Sequence, residues 1–137
     1  ANAKLIYQRF IELFHSDRFK ALAAKGAHVQ RPLWASTGTK DPKYSDIKYV
    51  QELIGPDTVN TMPPATMYAY RDHGNPRLTV TEGVDQARAI QKSFAAIGID
   101  FNEVGEDLQK EGVESFSKSF EDLMGVIKKR CDAVKPS

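Results

Sequence analysis

The chain has 137 residues, of which 41% are hydrophobic and 27% charged, a globular composition of a size usual for one small domain. Nineteen basic residues against 18 acidic ones leave a net charge of +1, which excludes the strong basic field that nucleic acid or an anionic membrane surface selects. The single cysteine, Cys131, excludes an intrachain disulfide, and no stretch is apolar for long enough to span a bilayer.

In chain order, the first segment repeats apolar residues at helical spacing through Ile6, Phe10, Leu13 and Phe14. The sequence starts inside this helix without an initiator Met or a signal-peptide apolar region, and so reads as a piece of a longer protein. At Ser16-Asp17 a break supplies an N-cap for a second helix, through Phe19, Leu22 and Ala23, which Gly26 terminates. A strand is predicted over residues 31–36, with Pro32 near its start because proline cannot serve mid-sheet. Thr37 to Tyr44 is a loop. Ser45 then caps a helix with Asp46 in its first turn, an apolar face of Ile47, Val50, Leu53 and Ile54, and a stop at Gly55.

A second strand is predicted over residues 57–62. Pro63-Pro64 ends it and opens a helix carrying Met67, Tyr68 and Tyr70, closed by Gly74. Strand, loop, helix, strand and helix in that order are the alternation of a parallel α/β sheet. The remainder is helical: a run capped by Thr81 and ended by Gly98, a short helix opened by a capping box of Asp100 and Glu103, and, after Gly112, a long amphipathic helix. The stripe of that last helix, Val113, Phe116, Phe120, Leu123, Ile127 and Cys131, alternates steps of three and four and reads as a surface packed on a neighbouring element. Two parallel strands alone leave both outer edges open. The sheet is therefore expected to be completed by residues outside the chain, by another copy, or by rearrangement.

Active-site groups of βα-barrels project from the carboxyl ends of the strands. That rule selects Ser36 and Thr37 after the first strand and Asn60 and Thr61 at the end of the second. Small hydroxyls and backbone N–H groups near Gly38, with the charge of Lys40, suit a phosphate; the same residues also suit an ordinary turn. A Schiff-base enzyme needs a desolvated lysine, and no lysine here lies within an apolar strand. Lys40 and Lys43 fall in a polar loop, Lys25 at a helix end, Lys135 in the tail, and the others on helices. His15, His28 and His73 lie far apart and make no metal-ligand set. Cys131 reads as a small apolar residue of the last helix, and Asp85 with Arg88 as a solvated pair.

The segment Arg31-Pro-Leu-Trp-Ala-Ser-Thr-Gly-Thr-Lys-Asp-Pro-Lys-Tyr-Ser-Asp46 resembles the seventh-strand region of bacterial and plant-type transaldolases. Tyr49 to Thr66, with its Asp-Thr-Val-Asn-Thr-Met-Pro tract, is similar to the following helix and last barrel strand of that family, and the opening residues to Phe10 and Gly98-Ile-Asp-Phe101 fit its pattern. The resemblance implies the C-terminal part of a (β/α)8 TIM barrel, an α/β fold. It also implies transfer of a dihydroxyacetone unit between sugar phosphates in the pentose phosphate pathway, without metal or organic cofactor. The Schiff-base lysine of the family would lie upstream of Ala1, so no catalytic residue is expected in this chain, and the chain alone is expected to be inactive. Ala35-Ser36 matches the family's phosphate-binding Ala-Ser motif. Many relatives carry a basic residue two positions after that serine, where this chain has Gly38, and Lys40 comes two later. The partners implied are a sugar phosphate and either the missing N-terminal part of the barrel or another copy. The implied location is the cytoplasm, or a plastid for a plant parent. The alternative is a non-catalytic fragment that self-associates or binds phosphate.

Overall fold

The computed structural model describes residues 1–134; the predicted tail position Lys135 lies outside them. Among the described residues eight elements follow one another: α1 (Asn2–Phe14), α2 (Asp17–Ala23), β1 (Leu33–Trp34), α3 (Lys48–Glu52), β2 (Val59–Asn60), α4 (Pro64–His73), α5 (Val84–Ala96) and α6 (Phe101–Ala133). They fall into two compact units, one of residues 1–92 and one beginning at Ser93, with the boundary inside α5. Among the described residues no helix is long and apolar enough to cross a membrane.

In the first unit, Ser16 separates α1 from α2 because its side chain accepts the Phe19 N–H at 3.2 Å, satisfying a donor that the helix itself cannot. The core gathers Tyr7 and Phe10 of α1, Trp34 of β1 and Val80, with Ala3, Ile11, Phe14 and Leu53 packed against them. The buried face of α1 thus runs through positions 3, 7, 10 and 14. Ile6 and Leu13, predicted to belong to the apolar face, are about half exposed. The aromatic rings continue outward, with Phe10 tilted against Phe14 at 5.2 Å between centroids and Phe14 edge-on to Phe19 at 4.8 Å. Lys4 ties this helix to its neighbours, donating to Glu52 Oε2 at 2.8 Å and to the Glu82 carbonyl at 3.0 Å. Its ammonium group is largely shielded, unlike the helix-surface lysine expected there.

The two strands are parallel, in register Leu33 with Val59 and Trp34 with Asn60. Each is two residues long, against the six predicted over 31–36 and 57–62. A parallel ladder extends only as far as a partner runs beside it, and here each strand has one neighbour. The bonds that hold them run from Val59 N to Pro32 O and from Thr61 N to Trp34 O, both 2.9 Å. The helix between them, α3, begins at Lys48. Ser45 accepts from Ile47 N at 3.4 Å in the preceding turn, and Asp46 lies before the helix rather than in its first turn. Pro64 takes the first position of α4, where its missing N–H costs nothing. A turn over residues 80–83 precedes α5, so Thr81 stands away from the helix start at Val84.

In the second unit, α5 closes on Gly98 in a left-handed conformation, φ +83°, with Gly98 N bonded to Ala95 O and Ile99 N to Phe94 O. That pair of bonds is the Schellman arrangement, and a residue without Cβ meets its φ without strain. Asp100 caps α6 by accepting from Asn102 N at 2.7 Å. From there α6 runs unbroken for 33 residues, where a short helix and a separate long one divided at Gly112 were predicted. Glycine inside a helix costs about 1 kcal/mol relative to alanine, too little to force a stop between two strong helical stretches. The stripe expected to pack on a neighbour is exposed: α6 has no buried residue among those described, with Phe116 at 82% exposure and Phe120 at 63%. Cys131 is exposed as well.

Candidate functional site

The register of β1 and β2 brings the carboxyl ends of both strands to the same place, because parallel strands share a direction. Beyond β1 the chain turns at once. Ser36 takes a left-handed conformation, φ +54°, which costs a non-glycine residue on the order of 1 kcal/mol and needs surrounding structure to hold it.

Thr37 comes next. It is 3% exposed, and its hydroxyl donates to Asn60 Oδ1 at 2.8 Å, with Thr61 O farther away at 3.4 Å. The Thr61 hydroxyl in turn reaches Trp34 O at 3.5 Å, alongside the ladder bond from its own N–H. Gly38 then presses on the start of α4: a Cβ there would lie 3.0 Å from Pro63 Cγ and 3.3 Å from Thr66 Oγ1. Ser36 itself is exposed. A left-handed turn thus projects a hydroxyl outward from a base that is hydrogen-bonded and buried.

The loop that follows carries Lys40, which is exposed and takes no part in the bonds around Thr37. The Asp41 carboxylate accepts from Lys43 N at 2.9 Å, folding the loop on itself, and the Lys48 ammonium lies 3.4 Å from the centre of the Tyr44 ring. At the far end of the loop, His73 of α4 lies between two carboxylates, Nε2 3.0 Å from Asp46 Oδ1 and Nδ1 3.2 Å from Asp72 Oδ2. Both nitrogens can donate only when the ring is protonated. The hydrogen bond to Asp46, then that to Asp72, raises the His73 pKa above its ordinary value, and the His73 hydrogen bond lowers that of Asp46.

Of the five residues selected from sequence, Thr37, Asn60 and Thr61 meet in one hydrogen-bonded knot, Ser36 stands next to it, and Lys40 lies out on the loop. The His73 bridge was not anticipated. Its signal was faint, since Asp72 is adjacent in sequence but Asp46 lies 27 residues away. Two polar atoms near β1, Trp34 Nε1 and Thr39 Oγ1, are buried without a protein partner. Among the described residues no group of three or more His, Cys, Asp or Glu side chains is arranged to hold a metal ion.

The Transaldolase/Fructose-6-phosphate aldolase family matches residues 1–127. The chain is 49% identical over 136 residues to a transaldolase of Saccharopolyspora erythraea, covering 98% of this chain and 37% of that protein. It is 51% identical over 128 residues to a transaldolase of Frankia alni, covering 93% of this chain and 34% of the relative. A transaldolase of Mycolicibacterium smegmatis is 50% identical over 138 residues, covering 98% and 37%. The chain spans little more than a third of the length of these relatives. With the family matched over nearly all of its length, the chain belongs to the transaldolase/fructose-6-phosphate aldolase family.

Proposed function

We propose that this chain forms the C-terminal part of a transaldolase (β/α)8 barrel and supplies the phosphate end of its substrate pocket. The observation that carries this reading is the parallel register of β1 and β2, which sets Ser36-Thr37 beside Asn60-Thr61 at the strand ends where barrel enzymes build their sites. The barrel is completed by residues outside this chain, and the reaction moves a dihydroxyacetone unit from one sugar phosphate to another through a lysine Schiff base.

Here Ser36 offers its hydroxyl and backbone N–H to the substrate phosphate, and Lys40 contributes a positive charge from the loop. Thr37, Asn60 and Thr61 form the wall behind them. The imine-forming lysine comes from the completing portion. In this chain the largely shielded Lys4 has its ammonium engaged by Glu52 and by the Glu82 carbonyl, within the packing of α1 rather than at the strand ends.

Borohydride trapping with fructose 6-phosphate tests the proposal, because only an imine leaves a reduced covalent adduct. The chain alone is expected to give none. Joined to the upstream portion of the Saccharopolyspora erythraea relative, it is expected to give an adduct on that upstream portion and to turn over. An adduct on the chain alone, or an inert joined protein that folds, would refute the reading.

A second reading, a non-catalytic self-associating fragment, draws on the exposed stripe of α6. Light scattering of the purified chain separates the two: a concentration-dependent rise in mass favours association, and a monomer at all concentrations counts against it.

A further inference from the structure

We propose that Thr37 is a positioning residue, anchored on Asn60, that holds the Ser36 turn in the conformation that meets the substrate phosphate. The inference rests on the reading of Ser36 as a phosphate contact and extends it to residues that touch no substrate.

Two independent features converge on it. Ser36 sits at φ +54°, a conformation that an L-residue leaves unless its neighbours prevent it. Its neighbour Thr37 is buried to 3% exposure, and its hydroxyl donates across the sheet to Asn60 Oδ1 at 2.8 Å. A threonine needed only to fill space would serve equally as valine. Here the hydroxyl links the residue after the turn to the end of the neighbouring strand, whose place is itself fixed by the ladder bond from Thr61 N to Trp34 O. The turn is therefore braced from β2 rather than from its own strand. Rotation of Thr37 would carry the Ser36 hydroxyl with it, and a misplaced hydrogen-bond donor loses most of its value within a fraction of an ångström.

The bracing also accounts for why Asn60 is an amide. Its Oδ1 accepts from Thr37 without carrying a full negative charge into a corner that receives a dianion.

The test uses the chain joined to the upstream portion that completes the barrel, and compares kcat/KM for fructose 6-phosphate with that for unphosphorylated fructose. The ratio of the two reads phosphate recognition and is independent of how much enzyme is folded. Thr37→Val is expected to lower this ratio about tenfold, the effect of losing one well-placed hydrogen bond. Thr37→Ser, which keeps the hydroxyl, is expected to restore it to within about twofold of wild type. Asn60→Ala is expected to lower the ratio like Thr37→Val, and the double variant no further than either single one, since both remove the same brace. An unchanged ratio in Thr37→Val, an equal loss in Thr37→Ser, or additive losses in the double variant would overturn the proposal. Ser36→Ala in the same assay addresses the reading underneath: if the ratio survives that change, the assignment of the phosphate contact fails, whatever Thr37 does.

Discussion

Replacing Thr79 by valine keeps its shape and deletes one buried hydroxyl. Thr79 is 2% exposed and stands where the segment after α4 returns to the end of α3. Its Oγ1 donates to Gln51 O at 2.7 Å and accepts from Ile54 N at 3.1 Å, while the N–H groups of Thr79 and Val80 both reach Ile54 O, at 3.0 and 3.1 Å. Valine leaves the last two bonds in place and removes the first two. Each typical bond contributes about 1 kcal/mol net, and a buried backbone group left without a partner costs about 1–3 kcal/mol, so the loss comes to about 2–4 kcal/mol. Urea unfolding followed by fluorescence measures it directly, because Trp34 is the only tryptophan and lies in the core cluster with Val80. With a slope of about 2 kcal/mol/M, the midpoint is expected to fall by about 1–2 M. Thr79→Ser keeps both bonds and gives up one methyl group, a loss of about 1 kcal/mol. A valine variant within about 0.5 kcal/mol of wild type, or a serine variant as unstable as valine, would show that the hydroxyl is not what joins these segments.

Gly55→Ala is expected to destabilise the first unit by about 1–3 kcal/mol, since the new Cβ would collide with the fully buried Val80 side chain; an unshifted unfolding midpoint would refute this. The His73 bridge makes a pH-dependent contribution whose sign follows from its two shifts. Because the folded pKa of His73 is raised, its share is whole below the ordinary value of 6.5 and is lost as pH rises through the raised value. Because that of Asp46 is lowered, its share is present above the ordinary 3.8 and disappears as pH falls through the depressed value. An NMR titration of the imidazole is expected to show a lower His73 pKa in Asp46→Asn than in wild type, and an unmoved titration would refute the assigned cause.

The features legible in the sequence were those fixed by single residues acting locally. Ser16 and Asp100 cap helices because a short polar side chain reaches a free N–H, Pro64 starts α4, and Gly98 ends α5, each within one turn of the residue that signals it. Strand length was not legible, because it depends on what lies alongside, and each predicted run of six residues became a strand of two with only one neighbour. Tyr7 turns inward and Ile6 does not, since spacing gives the width of an apolar face but not which of its edges faces the core. Thr79 and Val80, the two most buried side chains, lie in a stretch without helical or strand periodicity and carried no signal. At the candidate site, strand-end position alone selected Thr37, Asn60 and Thr61. The bond between Thr37 and Asn60 joins residues 23 apart, and only the folded chain reveals it.

The brevity of β1 and β2 has a consequence for handling the protein. Fibril growth through stacked backbone needs segments of about six or seven residues that offer amide groups in an unbroken row. Strands of two residues, with Pro32 directly before one of them, present no such template along their bare flanks. Clumping in concentrated samples would then originate in greasy side chains such as Phe116 and Phe120, and a mild detergent, rather than a strand-breaking substitution, would be the remedy.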